Sequence, residues 1–361
     1  MPCRQSCVRT DLRAGFAVED RHKPARQVTS IDVARLAGVS RSAVSRTFTA
    51  GASVAPETRE RVMAAANELG YRVNMLARGL TQKRTNLVGL VVSDMDNPFR
   101  AELVDHLARR LVALDYRPFM LPTDPGMDVV PLVDMMLDYN VSGAIVTSDT
   151  PPAKISEECA MHGVPLVLVN KEAMDGVANV TLDSEKVGRL AAEALRKAGC
   201  RRVGIASQRR PSHTISERKA AFLRACGALG LQTAGDYQGA VQNYAGGIEA
   251  AGAFLAAGGD ADGVFCANDY LALGFLDGLR SRCSLRVPED LCVIGCDDIA
   301  EAAWLAYDLT TIRQDTMSLA EAAAAALVSR IETPETEVAN TTIDVQLVER
   351  GSTARPPFNP T

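Results

Sequence analysis

Residues 28–73 constrain the fold most, because they place helix-starting and helix-ending residues at short, regular intervals. Thr29 and Asp32 stand three positions apart, so a hydroxyl and a carboxylate can both cap free backbone N–H groups where a helix begins. Gly38 lets the chain turn sharply, and Ser40 can cap the next helix. The spacing predicts two short helices joined by a tight turn.

The second of these helices presents a polar face. Ala43 and Val44 are expected to pack inward. The opposite face consists of Arg41, Ser42, Ser45 and Arg46. Basic and hydroxyl side chains on one helix face are the groups that contact base edges in the major groove. A third helix is expected to begin at Pro56, whose fixed φ suits the first helical position. We therefore predict a helix-turn-helix that binds DNA.

Several motifs follow one another in this region: DVARLAGVS, VSR, PETRERV, ELGYRVN and LARGL. In this order they resemble the lactose repressor and galactose repressor (LacI/GalR) family of bacterial transcription regulators, and the resemblance continues to about residue 350. It implies an N-terminal all-α helix-turn-helix head with a hinge helix, followed by an α/β periplasmic-binding-protein-like core of two doubly wound parallel-sheet lobes. It also implies a sequence-specific DNA-binding regulator, expected to repress carbohydrate metabolism genes under allosteric control by a small molecule.

The resemblance assigns roles within the head. Arg41, Ser42 and Arg46 occupy positions that contact base edges, and Leu80 occupies the position of a residue that wedges into the minor groove. The segment from Asn74 to Leu80 is two turns long, too short to be a stable isolated helix, so its folding is expected to be coupled to DNA binding. The complete set of candidate DNA-binding residues is Thr29, Ser40, Arg41, Ser42, Ser45, Arg46, Asn74 and Leu80.

The expected organisation has five parts: a disordered extension over 1–27, the helix-turn-helix domain over 28–73, a hinge helix and linker over 74–86, a two-lobed effector-binding and dimerisation domain over 87–350, and a tail over 351–361. The extension is rich in Arg and poor in bulky apolar residues. Either it adds nonspecific attraction to phosphates, or the true start codon lies downstream.

Charge is divided between these parts. Residues 1–84 contain 15 Lys and Arg against 7 Asp and Glu, a net charge of +8, whereas the rest of the chain has a net charge of −13. A basic N-terminal part attracts DNA phosphates, and an acidic body is repelled by them. The overall charge of −5 therefore conceals a basic DNA-binding part.

Composition bears on location and cofactors. The chain has neither a long uninterrupted apolar run nor an N-terminal signal pattern, so we expect no membrane partner and a cytoplasmic, nucleoid-associated protein. Its nine Cys are scattered without metal-ligand spacing and are expected to be reduced, mostly buried thiols. No cofactor and no metal site are expected.

After the linker, apolar runs alternate with amphipathic stretches, the pattern of parallel sheets. Strands are expected to begin near Leu87, Arg117, Gly143, Pro165, Asn179, Arg202, Gly263 and Leu291, with helices between them, including Ser216 to Ala228 and Gly246 to Ala257. Two lobes are expected, joined where the chain crosses near Leu309 to Arg313 and again near Ala339.

Ligands of such sheets bind beyond the carboxyl ends of the strands, which in a two-lobed body face one cleft. Polar residues at these strand ends give the candidate effector-binding set, together with the aromatic residue that follows the first strand: Phe99, Arg100, Ser148, Asn170, Asp183, Thr214, Arg218, Asn268 and Asp297. Several of them have an alternative role. Asp183 and Asn268, for example, can simply cap the helices that follow them.

The family resemblance favours Phe99, Arg218, Asn268 and Asp297 as effector ligands. An Arg with planar amide or carboxylate groups can bind vicinal hydroxyls while an aromatic ring covers a sugar face, which favours a sugar. Purines are the alternative within the family. Arg100 stands where the family often has a second aromatic residue, and it indicates either an acidic sugar or a solvent-exposed side chain.

Two other classes of protein compete with this interpretation. An enzyme would need a catalytic constellation, and the sequence has no glycine-rich phosphate loop or nucleophile elbow, so no catalytic residues are assigned. A secreted solute-binding protein would not explain residues 28–73. We expect a homodimer on a pseudo-palindromic operator. A tetramer is not expected, because the C-terminal region lacks the leucine heptads that would join two dimers. Whether the effector releases or promotes DNA binding is left open.

Overall fold

A computed structural model describes residues 28–49, 51–73, 85–124, 126–148, 152–335 and 338–354. The chain divides into two compact units, 1–78 and 79–361. The predicted extension over 1–27 and the predicted hinge segment, with Asn74 and Leu80, lie outside the described residues. Their roles stay predictions.

The first unit contains three helices: α1 (Ser30–Ala37), α2 (Arg41–Thr47) and α3 (Pro56–Leu69). The Asp32 carboxylate accepts hydrogen bonds from the backbone N–H of Thr29 (3.0 Å) and from its hydroxyl (2.7 Å), which fixes the start of α1. Gly38 ends α1 at φ +63°. The Ser40 hydroxyl caps α2 by accepting from the Ala43 N–H at 3.2 Å. The predicted helix boundaries are confirmed.

The second unit contains twelve strands among its described residues. The first lobe has β1 (Leu87–Val92), β2 (Arg117–Pro122), β3 (Gly143–Val146), β4 (Leu166–Val169), β5 (Ala178–Leu182) and β11 (Thr341–Ile343). The second lobe has β6 (Arg202–Gln208), β7 (Gln232–Gly239), β8 (Gly263–Cys266), β9 (Cys292–Asp297), β10 (Thr310–Gln314) and β12 (Val345–Val348).

Both sheets are doubly wound. Their strand orders are β11-β5-β4-β3-β1-β2 and β12-β10-β9-β8-β6-β7. All pairs are parallel except β10 with β12, an antiparallel pair at the edge of the second sheet. The two predicted parallel-sheet lobes are confirmed. β7, β10, β11 and β12 are additions that the strand predictions lacked.

Helices cover both faces of each sheet. They are α4 (Pro98–Ala113), α5 (Val130–Asp138), α6 (Pro152–Met161), α7 (Ser184–Lys197), α8 (His213–Leu229), α9 (Tyr244–Ala256), α10 (Asp269–Arg280) and α11 (Thr316–Glu332). Short 3₁₀ turns occupy Ala300–Ala303 and Gly351–Thr353. No described helix is long and apolar enough to cross a bilayer. The seven Cys of the described ranges are free thiols, six of them buried.

The chain passes between the lobes three times, not twice. It crosses at Asp183, between β5 and α7, at Asp315, between β10 and α11, and at Asp344, between β11 and β12. The prediction of crossings near Leu309 to Arg313 and near Ala339 was wrong in detail. The former segment is mostly β10 itself, and the latter lies within the first lobe.

Glycine permits a very close helix contact in the second lobe. A Cβ on Gly188 of α7 would lie 2.3 Å from the backbone nitrogen of Phe222 in α8. Phe222 is fully buried and contacts the Phe265 ring of β8, with ring centroids 5.1 Å apart. The absence of a side chain at Gly188 therefore sets the distance between α7 and α8.

We predict that Gly188→Ala destabilises the second unit. The added methyl group overlaps backbone atoms that cannot rotate away, and overpacking of this kind costs about 1–3 kcal/mol. Gly227→Ala is the matched control, because a Cβ there meets nothing within 4 Å and should be neutral or stabilise by about 0.5–1 kcal/mol. Urea unfolding curves measure both effects. An equal midpoint for the two variants would contradict this packing argument.

Candidate functional site

The exposed face of α2 is the candidate DNA interface of the first unit. Arg41, Ser42, Ser45 and Arg46 are all exposed, as predicted, whereas Val44 is buried. Thr29 and Ser40, the other described candidates, are also exposed. The face thus presents two guanidinium groups and several hydroxyls without an acidic side chain on α2 itself.

A small core holds this face in position. Val33, Val44 and Val62 bring the three helices together, and the rings of Phe48 and Tyr71 pack with centroids 5.7 Å apart. Arg59 of α3 donates a hydrogen bond of 3.0 Å to the Thr47 carbonyl at the end of α2. The orientation of α2 is therefore fixed by packing and by one long-range hydrogen bond.

The second candidate site is a cleft between the two lobes. Its inner part encloses about 540 Å³, counting space open to solvent. The first lobe contributes Asn97, Phe99, Arg100, Leu103, Thr147, Val169, Asn170 and Lys171, and the second contributes Ser212, Thr214, Ile215, Arg218, Gln242, Asn268, Asp297 and Gln314. The cleft widens outward into a region of about 1350 Å³.

Arg218 is the central cation of this cleft. Its side chain is 4% exposed. Its Nη1 donates a hydrogen bond of 3.1 Å to the Ala267 carbonyl and lies 3.7 Å from the Asp297 carboxylate. A guanidinium buried to this degree requires such partners, because an unpaired buried charge is costly.

Asp297 ends β9 on the same wall of the cleft. It accepts a hydrogen bond from the Gln314 amide, and its φ is +136°. Burial raises the pKa of the Asp297 carboxyl well above its usual range, while the Arg218 guanidinium acts in the opposite direction. Backbone strain and a perturbed carboxyl at one residue are typical of functional sites.

A second buried carboxyl supports the loop beyond Asp297. Asp269 accepts from the backbone N–H groups of Asp298 (2.7 Å) and Ile299 (3.1 Å) and from the Thr311 hydroxyl (2.6 Å). Burial raises the pKa of Asp269 to about 7 despite these hydrogen bonds. Asp269 lies outside the cleft lining, so it is a structural support for Asp297.

Asparagines at two strand ends hold the walls together. Asn268 caps α10 by accepting from the Leu271 N–H at 2.8 Å, and its amide also lines the cleft. Asn170 has φ +56°, and its carbonyl accepts a hydrogen bond of 2.7 Å from the Thr214 hydroxyl of the other lobe. Asn268 thus caps α10 and lines the cleft at the same time.

Unpartnered polar atoms concentrate in this cleft. Of nine buried side-chain nitrogen or oxygen atoms that lack a hydrogen-bond partner among the described residues, four lie here: Asn170 Oδ1, Gln242 Oε1, Gln314 Oε1 and Arg218 Nε. Buried polar groups in folded proteins are nearly always paired. Residues with three unpaired acceptors and one unpaired donor therefore line one cavity, a concentration typical of a polar binding site.

Arg100 lies in the cleft and is not a solvent-exposed side chain. Its guanidinium donates to the Ser93 hydroxyl at 2.7 Å and to the Asp94 carboxylate at 2.9 Å. These contacts hold the arginine against the mouth of the cleft and balance part of its charge.

Two predicted effector-binding residues fall outside the lining. Ser148 is fully buried, and its neighbour Thr147 lines the cavity instead. Asp183 caps α7, accepting from the Lys186 N–H at 2.8 Å, at a crossing between the lobes. For Asp183 the structure therefore shows the alternative role that the sequence left open. The other seven predicted residues all line the cleft.

The sequence analysis missed several lining residues. Gln242 follows β7, which was not predicted, and Gln314 ends β10, which was taken for a crossing segment. Lys171 directly follows the predicted Asn170. Polar residues at the carboxyl ends of strands were taken as candidates, so both glutamines would have been identified had the two strands been recognised.

Comparisons with known proteins find relatives of both units. Residues 31–74 match the family model for bacterial regulatory proteins of the lacI family, and residues 192–353 match the model for a periplasmic binding protein-like domain. The catabolite control protein A of Priestia megaterium is 31% identical over 80% of this chain and 87% of its own length.

Two solved structures are similar over most of the chain. The lac repressor dimer bound to operator and the anti-inducer ONPF has a TM-score of 0.83 and 25% identity, covering 91% of this chain and 99% of that one. A complex of the transcriptional regulator CelR with cellobiose has a TM-score of 0.68 and 29% identity, covering 90% of this chain and 100% of that one. With a helix-turn-helix unit and a two-lobed core whose similarity extends over nearly all its length, the chain belongs to the LacI family of bacterial regulatory proteins and is a DNA-binding transcriptional regulator.

Proposed function

We propose that this protein represses carbohydrate metabolism genes and that a sugar or sugar acid, bound in the cleft, controls its affinity for operator DNA. The four unpartnered polar atoms of the cleft carry this proposal. Three carbonyl oxygens around one cavity fit a ligand rich in hydroxyl donors, and the Arg218 Nε fits a hydroxyl or ring oxygen. CelR, a similar regulator, binds cellobiose.

The lining favours a sugar over a purine. Phe99 is the one aromatic side chain among the described residues of the inner cleft, and it is 9% exposed. A nucleobase has two π faces that stack on aromatic side chains, whereas a sugar needs a single apolar cover and many hydrogen bonds. The polar majority of the lining matches the sugar.

Coupling between the cleft and DNA follows from the two-lobed arrangement. A ligand held by Asn170 of the first lobe and by Arg218 and Asp297 of the second contacts both lobes at once, so it stabilises the closed arrangement over the open one. A ligand shifts a conformational equilibrium only through such a difference in affinity. We assign no reaction to the cleft, in line with relatives that are transcriptional regulators.

An exposed apolar pair supports the homodimer. Leu305 is 100% exposed and Trp304 is 55% exposed, in adjacent positions after the 3₁₀ turn of the second lobe. Large apolar side chains that remain in water beside one another mark association surfaces. A symmetric dimer would bury both copies of the pair and present two heads to a pseudo-palindromic operator.

We predict that Arg46→Ala weakens binding to the DNA upstream of the protein's own gene by about tenfold or more, because a good side-chain contact to a base edge contributes roughly 1–3 kcal/mol. Fluorescence anisotropy at several salt concentrations measures the change. Arg202→Ala, which removes the same charge from the body, should leave affinity unchanged. Equal affinities for the two variants would remove α2 from the DNA interface.

We predict that Arg218→Gln abolishes the response to effector and keeps operator affinity within about threefold. The substitution removes a charge-assisted hydrogen bond and leaves the Asp297 carboxylate without its cation, and both changes are confined to the cleft. A thermal-shift screen of sugars and sugar acids identifies the effector, and operator anisotropy then measures its effect. Arg224→Gln, an exposed position of the same helix, should respond like wild type. If Arg218→Gln also lost operator binding, the arginine would be structural.

We predict that Leu305→Asp dissociates the dimer, raising its dissociation constant by about tenfold to a hundredfold or more, because each symmetric copy loses an apolar contact and gains a buried charge. Sedimentation equilibrium measures this constant. Met161→Asp, at a position 69% exposed in the first lobe, provides the control. A dimer unaffected by Leu305→Asp would move the interface elsewhere.

A further inference from the structure

Trp304 and Leu305 lie on a turn that projects from the second lobe. The backbone N–H groups of Tyr307 and Asp308 both donate to the Trp304 carbonyl at 2.8 Å, which closes the turn at its base. Leu305, a central residue of the turn, is 100% exposed. Apolar side chains stabilise a fold only when they leave water, so Leu305 does nothing to hold this conformation in the monomer. Other interactions must order the turn.

Tyr307 anchors the turn to the body of the second lobe. Its ring packs against the hydrophobic core, and its hydroxyl donates a hydrogen bond of 2.8 Å to Oδ2 of Asp277 on α10. The Arg280 guanidinium, three residues further along α10, lies 5.4 Å from the centre of the Tyr307 ring and donates to the Ala306 carbonyl. Side chains of α10 thus hold both the backbone and the last residue of the turn.

The Asp277 carboxylate is shared between the turn and a helix. Its Oδ2 also accepts a hydrogen bond of 2.8 Å from the hydroxyl of Tyr244, the first residue of α9, and its Oδ1 accepts from Arg280 at 2.8 Å. Burial alone would raise the pKa of the Asp277 carboxyl, yet the hydrogen bonds from the two tyrosines and Arg280 hold it below its usual range. Burial and the bond to Asp277 raise the pKa of Tyr307 to about 12. At neutral pH an ionised carboxylate therefore accepts from a protonated hydroxyl, which is a strong type of hydrogen bond.

We infer that Asp277 is a positioning residue of the dimer surface: through the Tyr307 hydroxyl it holds the turn in the conformation that presents Trp304 and Leu305 to a second copy of the chain. A surface that is ordered before association loses less conformational freedom when the dimer forms, so its affinity is higher. The inference rests on the homodimer surface of the proposed function and names the group that orders it.

Tyr307→Phe and Tyr244→Phe are matched variants, because each removes one hydroxyl from the same carboxylate oxygen at the same distance. We expect Tyr307→Phe to raise the dimer dissociation constant about tenfold or more, the usual effect of losing a hydrogen bond to a charged group. Tyr244→Phe should leave this constant close to the wild-type value, because Tyr244 lies on α9 and not on the turn. Sedimentation equilibrium measures both constants, and urea unfolding compares the stabilities of the two variants.

A purely structural role of the carboxylate predicts a different result. Both variants would then lose similar stability and affect the dimer to the same degree. Equal dissociation constants for Tyr307→Phe and Tyr244→Phe, whether both raised or both unchanged, would overturn the inference.

Substitutions of Asp277 test the acceptor itself. Asp277→Ala should weaken the dimer at least as much as Tyr307→Phe, and Asp277→Asn, which keeps a neutral acceptor oxygen, should weaken it less than Asp277→Ala. The double variant with Asp277→Ala and Tyr307→Phe should be no weaker than Asp277→Ala alone, because both changes remove the same hydrogen bond. Additive effects in the double variant would contradict an action of Asp277 through Tyr307.

Leu305→Asp distinguishes a failure of this inference from a failure of the proposed dimer surface. If Leu305→Asp dissociates the dimer and Tyr307→Phe has no effect, the positioning role is wrong and the surface stands. If neither variant weakens the dimer, the surface and the positioning role are both wrong.

Discussion

The buried guanidinium of Arg218 is the interaction on which the cleft depends. It connects three parts of the second lobe, because it contacts the carbonyl of Ala267 at the end of β8 and the carboxylate of Asp297 at the end of β9 from its own place on α8. Removing either partner would leave a charge in a position from which water is nearly excluded, a cost of several kcal/mol. The same atoms that fold this wall therefore arrange the cavity, and binding chemistry and local stability are inseparable here.

Aspartates mark all three connections between the lobes. Asp183 and Asp315 cap the helices that follow two of the crossings, and Asp344 at the third forms an ion pair with Lys186 of α7. Capping fixes the direction in which each helix starts, so the conformational freedom of the connections is confined to a few backbone angles next to each Asp. Such short, anchored connections favour rigid-body movement of the lobes over deformation within them. The hydrogen bond between the Thr214 hydroxyl and the Asn170 carbonyl, which spans the cleft, belongs to the arrangement in which the lobes approach each other.

Most of the buried strands were predicted from the sequence, and three of the four strands that were missed, β7, β11 and β12, are edge strands. The interior strand β10 was also missed, and the edge strand β2 was predicted. β1, β3, β4, β8 and β9 are buried on both faces and appear as apolar runs, whereas the edge strand β7, with the sequence QTAGDYQG, has several exposed positions and no apolar alternation. Its loop carries Gln242, so an unrecognised strand became a missing cleft residue. Asn170, Asn268 and Asp297 could be predicted from their positions at the ends of strands, because Asn and Asp tolerate the turns that follow strands. The failure at Ser148 has a different origin, because side chains near a strand end alternate in direction residue by residue, and Thr147 lines the cavity in place of Ser148.

Specificity in this cleft follows from what remains unpaired without a ligand. Each free amide oxygen of Asn170, Gln242 and Gln314 is buried, and a ligand that covers such an atom without donating a hydrogen bond leaves it desolvated at a cost of about 1–3 kcal/mol. Three such positions discriminate against a ligand of the same shape that lacks the hydroxyls, because each of them would be left without a hydrogen bond. The amides thus select a polyol.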